Sequence, residues 1–232
     1  MKKNFVSAII AAAGSSSRMG KDKIFLPINN IPSVAYTLMA FENASTIDEI
    51  VIVCQEKHQD KLIEIIENYS IKKFKSFAVG GSTRQDSVFS GIKKCNPLTT
   101  HFSIHDAARC LITSREIDDA VCSSFVHGAC SLGVPCKDTL KILDENNFVS
   151  ETPDRSTLWI IQTPQVFEKT LYIDAMNTAM KNNTNYTDDC QLIEKIGKKV
   201  YILKGNYSNL KITTPDDIAI FENLLNLRGK NL

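Results

Sequence analysis

Neither sign of charge predominates in this sequence. Its 27 lysines and arginines face 26 aspartates and glutamates, a formal net charge of +1. Binding to nucleic acid or an anionic membrane through bulk electrostatics needs a clear positive excess, so neither partner is indicated. Long hydrophobic runs are missing too. The longest strongly apolar stretch, Phe5–Ala13, is interrupted by Ser7 and is far shorter than the roughly 20 residues of a bilayer-spanning helix. It follows Met1-Lys2-Lys3-Asn4 and leads into a glycine loop rather than a cleavage site, so no signal peptide is expected. Cysteine pairing signals are also absent: the seven cysteines are an odd number and contain no C-x-x-C. This argues against a disulfide framework or a zinc site and fits a reducing, cytoplasmic setting, with most of the thiols simply buried. No internal repeat or low-complexity linker is found.

What is present suits an ordinary globular protein, with 43% hydrophobic and 23% charged residues. A length of 232 residues suits one domain over 1–232. Short β-branched runs at Val6–Ala12, Ile50–Cys54, Phe74–Val79 and Phe102–His105 read as buried strands. Apolar residues between and after them recur at helical spacing: Leu62, Ile65, Ile66 and Tyr69; Val88, Ile92 and Cys95; Ile117, Ala120, Val121 and Phe125; Tyr172, Ala175, Met176 and Ala179. Strand alternating with helix predicts an α/β fold, a Rossmann-like, mostly parallel sheet with helices on both faces. The polar segment at about 137–156 breaks the alternation. Its apolar runs Leu140–Leu143 and Phe148-Val149 flank a turn-rich Asp144-Glu145-Asn146-Asn147, which predicts a projecting β-hairpin arm.

Two loops carry candidate chemistry. Ala11-Ala12-Ala13-Gly14-Ser15-Ser16-Ser17-Arg18-Met19-Gly20 follows the first strand directly. Small residues let a backbone approach a ligand closely, and successive N–H groups can form an anion-binding nest at a strand's carboxyl end. It is not a Walker A loop, because one residue too many separates Gly14 from Gly20 and Asp22 follows Lys21. Nor is it a dinucleotide fingerprint, since Ser16 occupies the middle glycine position. It carries its own cations, Arg18, Lys21 and Lys23, which suit a triphosphate; a solvated basic turn is the plain alternative. The second loop, His105-Asp106-Ala107-Ala108-Arg109, offers a carboxylate able to hold Mg²⁺ and a guanidinium fork suited to phosphate. A surface Asp–Arg pair is its plain alternative.

These segments, with Lys23-Ile24-Phe25-Leu26-Pro27 and Gly80-Gly81-Ser82-x-Arg84-x-x-Ser87, resemble the 2-C-methyl-D-erythritol 4-phosphate cytidylyltransferases. So do Asp138-Thr139, Asp154-Arg155, Leu158-Trp159, Gln162-Thr163-Pro164-Gln165, Thr187-Asp188-Asp189 and Asn209-Leu210-Lys211-Ile212-Thr213, in the family's order and from Ala8 to about Leu225. The resemblance implies that CTP and methylerythritol 4-phosphate yield the CDP-linked alcohol and pyrophosphate, on the non-mevalonate route to isoprenoids. It implies Arg18 and Lys23 as stabilisers of the transition state, and Arg155 and Lys211 as the pair positioning the second substrate. Ala12, Ala13, Gly14, Ser15, Gly81, Ser82 and Ser87 would hold the cytidine and its phosphates, with Asp106 and Ala107. Asp106 would face the second substrate and a Mg²⁺ ion, with Arg109, Thr139, Thr163, Thr187 and Asp188 nearby. Arg84 would shape the base-side loop. The arm would interlock with that of a second subunit, its arginine completing the partner's site, so a homodimer is expected.

Three departures from the family pattern stand out: Ser16 for glycine, a shorter stretch from Arg18 to Lys23, and Cys110 for proline. The second leaves Lys21 as a rival to Lys23. Two other readings stay open on the sequence: a ribitol 5-phosphate cytidylyltransferase, and a nucleotide-binding domain that has lost its chemistry. Retention of Arg18, Lys23, Arg155 and Lys211 speaks against the latter.

Overall fold

Apolar residues of β1 (Val6–Ala11) and β4 (Glu49–Cys54) are buried on both faces, as parallel strands covered by helices must be. In the computed structural model, which describes residues 4–14, 22–214 and 216–229, they form the centre of a seven-stranded sheet with β5 (Phe74–Val79), β6 (His101–Asp106), β7 (Ala129–Pro135), β10 (Trp159–Glu168) and β11 (Tyr201–Lys204). The order is β11-β7-β10-β6-β1-β4-β5. Only β10 runs antiparallel to its two neighbours, β6 and β7. Smaller ribbons pair β2 (Pro27–Ile28) with β3 (Ile31–Pro32), and β8 (Ile142–Leu143) with β9 (Val149–Glu151).

The helices are α1 (Ser33–Asn43), α2 (Gln59–Asn68), α3 (Arg84–Ile92), α4 (Ser114–His127), α5 (Lys169–Lys181), α6 (Asp189–Lys195) and α7 (Asp217–Gly229). The sheet's pleat sorts them into two layers. Ala8, Ile10, Ile50 and Ile52 pack with Leu38 and Phe41 of α1, Leu62 of α2 and Ile117 of α4. The alternate residues Ile9, Val51 and Val53 pack with Val88 of α3, Tyr172 of α5 and Ile193 of α6. Each fully buried side chain of this kind stabilises by about 1.5–3 kcal/mol, so the strand ends that carry the loops are set by burial. Helix starts are written locally: Thr83 with Asp86, and Thr113 with Glu116, form capping boxes on α3 and α4. Gly128 ends α4 at φ 77°, a left-handed conformation suited to glycine.

The four expected strands are present within a residue of their expected bounds. Two stripes overran: α2 stops before Tyr69 and α3 before Cys95. The hairpin is present as β8 and β9, and residues 137–152 are all exposed. Five of the seven cysteines are buried and none is in a disulfide. Among the described residues no helix is long and apolar enough to cross a membrane.

Candidate active site

The chain runs outward from β1 through β4 to β5, then returns to the other side of β1 as β6. At such a switch point the loops at the strands' carboxyl ends part and leave a crevice. A cavity of about 370 Å³ lies there. One wall is Ala11, Ala12, Ala13 and Gly14, at the end of β1; facing it are Gly81, Ser82, Thr83, Arg84 and Ser87, between β5 and α3. Lys23 and Ile24 close one side, and Asp106, Ala108 and Lys211 the other.

Close packing explains the glycines after β5. A Cβ on Gly80 would lie 2.3 Å from the Cβ of Ala13, and one on Gly81 2.3 Å from the Cβ of Asp86. This lets the Gly81 N–H reach Ser87 Oγ at 3.0 Å, while that hydroxyl donates to the Thr83 carbonyl at 2.9 Å. Ser82 donates to Asp86 at 2.7 Å. Loop and helix cap are one unit. Among the described residues nothing lies within 4 Å of where a Cβ on Gly14 would stand, and Gly14 lines the cavity.

Among the described residues three cations line the cavity against one carboxylate, a balance that favours a polyanion. Asp106 Oδ1 accepts from Arg84 Nε at 3.2 Å, and its Oδ2 from Lys211 Nζ at 2.6 Å. Burial alone would raise the Asp106 pKa; Arg84 and then Lys211 more than offset it and hold the group below the usual carboxylate range. Arg84 spans two anions, since its Nη1 donates to Asp189 Oδ2 at 2.6 Å. Asp189, the first residue of α6, also accepts from the buried Tyr172 hydroxyl at 2.6 Å, and its N–H donates to Gln165. Burial, then the neighbouring Asp189, pushes the Tyr172 hydroxyl well above its ordinary pKa, so it serves as a donor.

Below Asp106 the packing is polar and closed. Burial drives the His105 pKa down to about 3, so the imidazole is neutral. Its Nε2 donates to the Arg109 carbonyl at 3.3 Å, which leaves Nδ1 to accept from the Thr163 hydroxyl at 3.0 Å. Thr163 Oγ1 in turn accepts the Asp106 N–H at 3.1 Å.

Several expected site residues have other work in this chain. Thr163 is buried in that scaffold and does not line the cavity. Arg109 donates to the carbonyls of Asn209 at 2.9 Å and Ile161 at 3.3 Å instead of pointing its fork at the cavity. The reason lies in β10: its ladder to β7 shifts register between Ile161 and Gln165, and the freed carbonyls need donors. Arg109, Ser131 and Asn209 supply them to Ile161, Gln162 and Thr163. Ala107 is fully buried, its carbonyl accepting from Thr37, so Ala108 faces the cavity in its place. Asp188 caps α6 and accepts from Gln165, while Thr187 donates to Gln191; neither lines the cavity. Thr139 and Arg155 are exposed in and beside the arm, and Arg155 donates to the Lys137 carbonyl at 2.9 Å. Ser15, Arg18 and the rival Lys21 lie outside the described residues.

Sequence reasoning assigned Arg84 to the base-side loop and missed its hold on Asp106. It missed Asp189 and Tyr172 altogether. The signal for Asp189 was its place in Thr187-Asp188-Asp189; Tyr172 looked like one more residue of an apolar stripe.

A family model described as 2-C-methyl-D-erythritol 4-phosphate cytidylyltransferase matches residues 6–227. A relative of that name from Clostridium botulinum (strain Okra / Type B1) is 42% identical over 227 residues, covering 97% of this chain and 98% of its own. A chloroplastic relative of that name from Oryza sativa subsp. japonica is 37% identical, covering 97% of this chain and 76% of its own. The solved structure of 4-diphosphocytidyl-2C-methyl-D-erythritol synthase from Anaerococcus prevotii superposes with a TM-score of 0.86 at 31% identity, covering 96% of this chain and 99% of that one. With the family model and the relatives matched across nearly the whole length, this chain belongs to the 2-C-methyl-D-erythritol 4-phosphate cytidylyltransferases, a family of nucleotidyltransferases.

Proposed function

We propose that this enzyme transfers the cytidylyl group of CTP to 2-C-methyl-D-erythritol 4-phosphate, in the non-mevalonate route to isoprenoids. A phosphate oxygen of the sugar-alcohol phosphate attacks the α-phosphorus of CTP. The bond from that phosphorus to the β-phosphate bridging oxygen breaks, and pyrophosphate leaves. The attacking group is already an oxyanion near neutral pH, so no general base is needed. Catalysis is then positioning and charge stabilisation. The observation that carries the reading is the convergence of Lys23, Arg84 and Lys211, from three distant stretches of chain, on one crevice that has a single carboxylate among its described residues.

In this reading Lys23, with Arg18, stabilises charge on the α-phosphate, and the small-residue wall from Ala12 to Gly14, with Gly81, Ser82 and Ser87, admits the nucleotide. Lys211 positions the second substrate. Asp106, a hard oxygen ligand at the crevice, fits a Mg²⁺ ion of the kind held mainly by substrate phosphates and water. Such an ion would neutralise phosphate charge. Arg155 lies away from its own cavity, which supports a role in a partner's site and a homodimer joined through the arms. A cytoplasmic location suits the free thiols.

The test is pyrophosphate release from CTP, offered in turn with methylerythritol 4-phosphate and ribitol 5-phosphate. Turnover is expected with the first; turnover with ribitol 5-phosphate alone overturns the substrate assignment. Arg18→Ala and Lys23→Ala should each lower kcat by about a hundredfold, the scale of one lost charge-stabilising donor. Lys21→Ala should be mild, and the reverse ranking would exchange the two lysines.

A further inference from the structure

Between the end of β4 and the start of α2 lie two side chains that the catalytic reading leaves unused. Gln55 Nε2 donates to the Ala13 carbonyl at 3.3 Å, at the β1 end of the cavity wall. Three residues on, His58 Nε2 pairs with Asp22 Oδ2 at 3.0 Å, beside Lys23. The imidazole is nearly as buried as the core, at 5% exposed, although it belongs to a short 3-10 turn at a loop. Phe25 stands edge-on against it, with ring centroids 5.2 Å apart and planes at 86°, and Lys61 Nζ lies 4.4 Å from the Phe25 ring centre.

The chemistry of the pair is directional. An ionised carboxylate can only accept, so the hydrogen between them belongs to His58 Nε2. Asp22 occupies the N-cap position of the 3-10 turn Lys23–Phe25, where an aspartate would ordinarily accept from its own turn. It makes no such cap bond; its carboxylate goes to His58 instead. The turn is held from outside, and that turn carries Lys23 and Ile24 into the cavity. Among the described residues His58 Nδ1 finds no partner, and the Asp22 bond is the ring's one polar contact there.

We propose that His58 is a positioning residue: it fastens Asp22, and through Asp22 it sets where Lys23 meets the reacting phosphate. The inference rests on the role of Lys23 given under Proposed function. A misplacement of about 1 Å can cost up to about a hundredfold in rate, so such a clamp has measurable leverage.

The experiment is steady-state kinetics on the full-length enzyme with CTP and the sugar-alcohol phosphate, with a thermal melt on every variant. His58→Ala should lower kcat about tenfold or more while leaving KM for the sugar-alcohol phosphate unchanged. Asp22→Ala, a partly exposed change expected to fold even if His58→Ala does not, should give the same loss. His58→Gln, whose amide can still donate to Asp22, should recover most of it. In a Lys23→Ala background, His58→Ala should add no further loss, because its effect passes through that lysine. Wild-type kcat in His58→Ala or Asp22→Ala, even with a lower melting temperature, overturns the proposal. So does a loss of undiminished size in the Lys23→Ala background. Full turnover by Lys23→Ala alone is a different failure: it removes the assignment of Lys23 on which the clamp depends.

Discussion

Arg84 ties together two carboxylates that stand far apart in the sequence, Asp106 and Asp189, and both are nearly buried. Arg84→Ala would leave them without their shared cation, and removing one partner of a buried pair costs about 3–5 kcal/mol. We expect a loss at or below the lower end of that range by urea unfolding, since Arg84 itself is partly exposed, with a fall in kcat as Asp106 loses its orientation. His105 makes a separate prediction. Its folded pKa, about 3, lies below the ordinary 6.5, so between these values the unfolded chain takes up a proton that the folded one refuses. Stability therefore falls as pH drops through this window. The loss should reach about 2 kcal/mol between about pH 7 and pH 5, and it should shrink in a His105→Gln variant. His101, also lowered by burial, adds in the same direction. That Asp106 and Lys23 line the cavity was legible because each is a charge beside a recognisable loop, and Lys211 was expected there from the family resemblance. The Arg84–Asp189 bridge was not, since its partners are 105 residues apart and nothing local marks them as a pair.

At the scale of elements, the interruption in β10 decides what Arg109 does. Where the ladder from β10 to β7 shifts register between Ile161 and Gln165, β10 carbonyls lose their ladder donors, and buried carbonyls need others. Arg109→Met keeps much of the apolar stem and removes the donors to Ile161 and Asn209. The expected result is a stability loss of about 1–3 kcal/mol with KM for the sugar-alcohol phosphate little changed. A large rise in that KM with stability intact would return Arg109 to the phosphate role that its guanidinium fork suggests from the sequence. Strands β1, β4, β5 and β6 were readable because each is a buried β-branched run. β7, β10 and β11 were not singled out: Ala129–Pro135 holds small and polar residues, β10 contains Gln162-Thr163-Pro164-Gln165, and β11 has only four residues. Their identity as strands comes from the neighbours they pair with.

At the scale of the whole molecule, Arg155 and Lys211 stand in different surroundings in one chain, the first beside an exposed arm and the second in the cavity. If Arg155 serves the partner's site in a homodimer, a mixed dimer of Arg155→Ala and Lys211→Ala subunits has one intact site and one carrying both lesions. Mixing and re-annealing the two inactive variants should restore pyrophosphate release, and sedimentation should show the dimer throughout. No recovery in verified mixed dimers, or full activity from a wild-type monomer, would reject the arrangement. The sequence by itself determined the alternation of strand and helix, the small-residue loop after β1, the separate exposed hairpin and the charges available for phosphate. These follow from residue periodicity and residue chemistry, which are local properties of a chain. Tertiary structure alone decided which charges meet: that Arg84 bridges Asp106 to Asp189, that Arg109 mends a broken ladder, and that His58 grips Asp22. Each depends on a distance between segments remote in sequence, and that distance exists only once burial has packed helices onto both faces of the sheet.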